Sequence, residues 1–129
     1  MATIQATYDP FANLTLFAVQ GVVAADELID ACTDQLNAQP TDNVVWEFRD
    51  VDLSLLDSAG LYKIAEYSKE TEELRKSPKT ALVAKGHVQR TLLKLYTEVA
   101  AHAELRTTFR IFADREAALD WLKEAKANS

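Results

Sequence analysis

The spacing of apolar residues changes several times along the chain, and each change marks an element. Residues 3–8 alternate, with Ile4, Ala6 and Tyr8 on one face and Thr3, Gln5 and Thr7 on the other. A period of two belongs to a half-buried strand. Turn residues follow in Asp9-Pro10-Phe11-Ala12-Asn13. Residues 14–23 give a second apolar run, interrupted by Gly21. The two runs predict an antiparallel hairpin with the first strand at a sheet edge. Over 25–38 the period lengthens: Leu28, Ile29, Cys32 and Leu36 form one stripe. Asp26 and Glu27 open this helix, where its dipole favours acids, and Pro40 closes it.

Val44-Val45-Trp46-Glu47-Phe48 is apolar enough for a central strand. Residues 49–56 read as an irregular connection holding Asp50 and Asp52. A helix then runs from Asp57 to about Arg75, with strongly charged later turns, and Ser77-Pro78 breaks it. Residues 80–84 form a short apolar strand, and Lys85-Gly86 turns the chain. Val88, Leu92, Leu95 and Val99 mark a third helix, widened by Leu93 and Tyr96. Residues 107–112 are the last strand. Asp114 caps a final helix whose inner face is Ala118, Leu119, Trp121, Leu122 and Ala125. The order β-β-α-β-α-β-α-β-α predicts an α/β fold: a mixed, mostly parallel sheet of four or five strands with about four helices. No linker or repeat interrupts it, so residues 1–129 are expected to form one domain.

Composition narrows the function. The chain has 129 residues, 48% hydrophobic and 26% charged, in the globular range. A formal charge of −6 argues against nucleic acid and against an anionic membrane surface as partners. One cysteine, Cys32, cannot form an internal disulfide. Two distant histidines, His87 and His102, do not make a metal site, and no cofactor is expected. The first residues lack a charged segment followed by an apolar one, and no apolar run approaches the ~20 residues of a membrane span. A cytoplasmic protein is expected. There is no G-x-S-x-G elbow and no glycine-rich phosphate loop, so an enzyme is not expected.

The stretch that carries chemistry is Asp57-Ser58-Ala59-Gly60-Leu61. It lies just after the most apolar strand and opens a helix, at the kind of strand-to-helix corner where α/β folds meet ligands and partners. Two readings stand side by side. Asp57 or Ser58 can be an N-cap, worth ~1 kcal/mol. Alternatively, Ser58 is a phosphoacceptor at an exposed corner. A phosphate there would gain from the helix N-terminus and repel Asp57. Asp50, Asp52 and Asp57 read more simply as a solvated acidic loop than as a cation site. A receiver domain would need an acidic pair after its first strand and a late lysine; neither is evident.

Asp52-Leu53-Ser54-Leu55-Leu56-Asp57-Ser58-Ala59-Gly60-Leu61 resembles the signature of the STAS domain, the module of anti-sigma-factor antagonists and sulfate-transporter tails. The element order is similar too. In that family the serine after the aspartate is phosphorylated, and this position is Ser58. The C-terminal half, including Phe112-Ala113-Asp114-Arg115-Glu116-Ala117-Ala118-Leu119-Asp120-Trp121-Leu122, is similar to a STAS-like branch related to the lipid-binding Sec14 fold.

Two functions follow. In the first, the chain is a regulatory module that binds a protein through Asp57, Ser58, Ala59, Gly60 and Leu61, with Ser58 as the switch. The resemblance implies an anti-sigma factor or a serine kinase as partner. In the second, it binds a lipid or other apolar small molecule in a cavity lined by the third and fourth helices. Homodimerisation through an exposed apolar helix face is compatible with either. Trp46, Phe48, Tyr96, Phe109 and Trp121 are expected in the core.

Overall fold

A computed structural model describes residues 2–38, 40–76 and 78–127, the last four of these by backbone only. Its strands are β1 (Thr3–Asp9), β2 (Leu14–Val22), β3 (Asn43–Asp52), β4 (Lys79–Ala84) and β5 (Thr108–Phe112). Its helices are α1 (Ala25–Ala38), α2 (Ser58–Thr71), α3 (His87–His102) and α4 (Arg115–Ala127). A 3-10 turn, Glu72–Leu74, continues α2. The strands make one five-stranded sheet in the order β1-β2-β3-β4-β5. β1 pairs antiparallel with β2, and every other pair is parallel. The sheet is the mixed one expected, with β1 at its edge.

Each parallel connection is a helix, and the two-residue alternation of the strands decides which face each side chain reaches. Phe17, Val19, Val44, Trp46, Phe48, Leu82 and Ala84 form a large core with residues of α1, α2 and α3. The alternate residues Val45, Ala81 and Val83 pack with Ala118 and Leu122 of α4. β3 is buried from both sides because it is the middle strand. The expected aromatic core is therefore two cores. Phe17 and Trp46, in register on β2 and β3, stack with centroids 4.1 Å apart. Tyr96 meets Phe109 edge-on at 5.6 Å, all on the three-helix face. Trp121 packs with Phe112 on the α4 face. The side chain of Ala125 lies outside the described residues.

Two boundaries differ from the sequence reading. β3 does not stop at Phe48 but runs on to Asp52. Arg49 and Asp50 make a register shift against Gln20, with Gly21 at φ 97° and Asp50 at φ 26°. A shifted register hides the alternation that sequence patterns detect. The second helix ends at Thr71 and tightens into its 3-10 turn before Pro78; Ser77 lies outside the described residues.

Candidate functional site

The corner after β3 is built by its aspartate. Asp57 has extended backbone, and its Oδ1 accepts the Gly60 N–H at 2.8 Å. This is the N-cap bond that satisfies a donor left free in the first helical turn. The Leu61 N–H then donates to the Asp57 carbonyl at 3.0 Å. Asp57 is the cap, so Ser58 is the first residue inside the helix. Its side chain is exposed and makes no hydrogen bond with a described residue. A hydroxyl that caps nothing and faces solvent is free for chemistry.

The five predicted residues come together but do not share one role. Asp57, Ser58 and Ala59 are exposed. Gly60 is half-buried against α1: a Cβ there would lie 3.4 Å from the Ala25 Cβ. Leu61 is 3% exposed and belongs to the core, so it supports the corner from beneath and offers a partner no surface. The apolar surface at the corner comes instead from Leu55 and Tyr62, 57% and 53% exposed. Tyr62 lies one turn after Ser58, on the same side of α2. Pattern reading passed over both, because an isolated exposed apolar residue leaves no periodic signal.

Of the two acids before the corner, both in β3, Asp52 is committed to nearby backbone. Asp52 accepts the Ser54 N–H at 2.9 Å. The Ser54 hydroxyl, followed by its N–H, holds the Asp52 carboxyl below the usual carboxylate range. Among the described residues no cluster of three His, Cys, Asp or Glu could hold a metal ion. His87 and His102 are exposed.

The opposite end of α2 also carries polar groups, Glu72 buried and Arg75 half-buried. Glu72 is 5% exposed and accepts the Arg106 N–H at 2.8 Å, the Thr107 N–H at 3.1 Å and the Thr107 hydroxyl at 3.0 Å. Burial alone would raise its pKa; these bonds outweigh it and hold the carboxyl below its ordinary range. Arg75 bonds backbone carbonyls: Nε to Thr41 at 2.9 Å, Nη2 to Asp42 at 2.7 Å and Nη2 to Lys79 at 3.3 Å. Burial pushes Arg75 down to about 10, which leaves it charged at neutral pH.

Between the two ends lies a cavity of about 110 Å³. It is bounded by the sheet and by α1, α2 and α3, so the expected lining from the third and fourth helices is corrected: α4 packs on the other face. Trp46, Phe48 and Tyr96 line it, as does Cys32, whose thiol burial pushes up to about 12. Leu56 and Leu61, which flank Ser58 in sequence, line it as well; Arg75 lines it with other residues of the polar end.

This arrangement of sheet, helices and corner is an α/β fold of the STAS, SpoIIAA-like type. No family model and no curated protein matches the chain. Among solved structures, an anti-sigma factor antagonist from Mycobacterium paratuberculosis is 21% identical. The match covers 95% of each chain with a TM-score of 0.67. An uncharacterized protein of Shewanella loihica with a SpoIIAA-like fold is 15% identical, with 94% of this chain and 93% of that one covered and a TM-score of 0.54. These likenesses show the fold. No helix among the described residues is long and apolar enough to cross a membrane.

Proposed function

We propose that the chain is a non-enzymatic regulatory module that binds a protein partner over the corner at 57–62 and is switched by phosphorylation of Ser58. The observation that carries the reading is the division of labour at the corner: Asp57 holds the cap bond, and Ser58 is left exposed and uncommitted. The likeness to an anti-sigma factor antagonist supports a protein partner of the anti-sigma-factor kind, with a serine kinase as modifying enzyme.

The mechanism is electrostatic. A phosphate on Ser58 adds roughly −1.5 to −2 charges at pH 7. The first turn of α2 partly compensates it, so the fold survives. A partner seated on Leu55 and Tyr62 would have to desolvate the phosphate beside the Asp57 carboxylate, which costs several kcal/mol. Affinity falls while stability holds. The test is peptide mapping of the protein isolated from its native cells. Phosphate is expected on the peptide carrying Ser58 and is expected to disappear in Ser58→Ala. A native protein never modified at Ser58, under growth and starvation alike, removes the switch from this account.

A further inference from the structure

The three-helix face is not filled to its centre. The space open there to the centres of water-sized groups is about 110 Å³, whereas one water needs only about 10–15 Å³. Most of the walls are apolar: Leu28, Trp46, Phe48, Leu61 and Leu93 among them. Such a space takes a ring or a short alkyl chain. At one end, near the starts of β3 and β4, the lining turns polar and includes a cation, Arg75, and the carboxylate Glu72. This guanidinium bonds three backbone carbonyls, which are neutral, and no carboxylate of a described residue lies within ion-pair distance of it.

The carboxylates that act on Arg75 from further away are engaged elsewhere. Glu72 serves the Arg106 and Thr107 amides. Asp42 accepts from Asn13 at 3.0 Å and from the Lys76 N–H at 2.9 Å. A half-buried cation with no carboxylate at contact distance, at the end of an apolar cavity, is complementary to an anion with an apolar body.

We propose that this cavity binds a small amphiphilic carboxylate, its carboxylate on Arg75 and its ring or short alkyl body extending toward Leu56 and Leu61. The lining residues Ile29, Cys32 and Leu36 of α1, Ile64 and Tyr67 of α2 and Leu92 of α3 are only half-buried, so the ligand has a way in between helices. The proposal stands apart from the Ser58 reading, and its test uses no Ser58 variant.

The test is an NMR titration of the full chain with octanoate, 1-octanol and octylamine as probes of equal length. Octanoate is expected to saturate, at least about tenfold tighter than octanol, because a charge-assisted bond to Arg75 is made only by the acid. Octylamine is expected not to bind. Amide shifts are expected at Cys32, Leu93 and Arg75. Arg75→Gln should bring octanoate down to the octanol level and leave octanol unchanged. Ser68→Phe, which fills the lining without touching Arg75, should abolish both. Should Arg75→Gln fail to fold, the wild-type octanoate-to-octanol ratio and Ser68→Phe decide the matter. Equal binding of acid and alcohol, shifts confined to the outer surface, or no saturable binding in the low millimolar range overturns the proposal.

Discussion

Helix α2 and its 3-10 extension carry polar residues at both ends, and the fold treats the two ends in opposite ways. At the far end, Glu72 and Arg75 are drawn inward and bond mainly to backbone: the α3–β5 loop for Glu72, which also takes the Thr107 hydroxyl, and the entries to β3 and β4 for Arg75. At the near end, Asp57 spends one oxygen on the cap and Ser58 none. Polar groups that join distant segments under a hydrophobic layer maintain the fold. Polar groups that face water with bonding capacity to spare are available to other molecules. The contrast separates stability from function along a single helix, and substitutions at the two ends should behave accordingly.

The largest effect is expected at the buried end. Glu72→Ala leaves the Arg106 and Thr107 amides without their acceptor, a loss of about 2–4 kcal/mol. For a chain of this size the melting temperature should fall by roughly 10 °C, read by calorimetry. A change of a degree or two would show that water replaces the carboxylate and that the end is not committed.

Acid should attack this end and, separately, a carboxylate on the α4 face. Glu47 is a second half-hidden carboxylate. The Arg115 side chain, at 2.6 Å and 3.0 Å, is the main influence on it; burial opposes, Arg49 adds, and its pKa is held low. Glu72 is held low as well. A carboxyl with a depressed folded pKa contributes stability that is fully present above its unfolded pKa, about 4.3. That contribution is lost as pH falls through the folded value. Melting temperature should therefore be flat from pH 7 to about 5 and drop below about 4.3. Glu72→Gln should start lower at pH 7 and drop less. A parallel fall in the variant would place the acid sensitivity elsewhere.

Smaller effects belong to the corner. Gly60 has no positive φ, and a Cβ there meets Ala25 at an ordinary contact distance. Gly60→Ala should therefore gain helix propensity and raise stability by up to about 1 kcal/mol, seen in a urea titration. A loss larger than that would mean that α1 cannot yield. Ser58→Asp, inside the first turn, should change stability by less than about 0.5 kcal/mol.

The strands and helices were legible in the sequence because each keeps one period over its length. The run at 44–48 is apolar on both faces, as a strand between two layers must be. The exit of β3 was not legible, since the register shift at Arg49 and Asp50 breaks the alternation. The corner was legible as a cap signal and a short motif, but the sequence left cap and acceptor unassigned between Asp57 and Ser58; the bond to Gly60 assigns the cap to Asp57.

The polar end was missed for a definable reason. Leu61, Ala65, Ser68, Glu72 and Arg75 keep the helical spacing of one inner stripe. The stripe turns polar two turns before its end, and charged residues in a charged stretch read as a solvated face. The periodicity was the available signal; residue type concealed it. Leu61 shows the complementary case: it lies within the motif, but its place in the stripe sends it inward.

The regulatory reading is tested most directly by quantitative affinity capture from native extract with wild type, Ser58→Ala and Ser58→Asp as bait, each first shown to melt alike. The account predicts that wild type and Ser58→Ala retain a common protein partner and that Ser58→Asp loses it by at least about tenfold. Equal capture of the same proteins by all three would contradict it and leave Ser58 as an ordinary first-turn residue of α2.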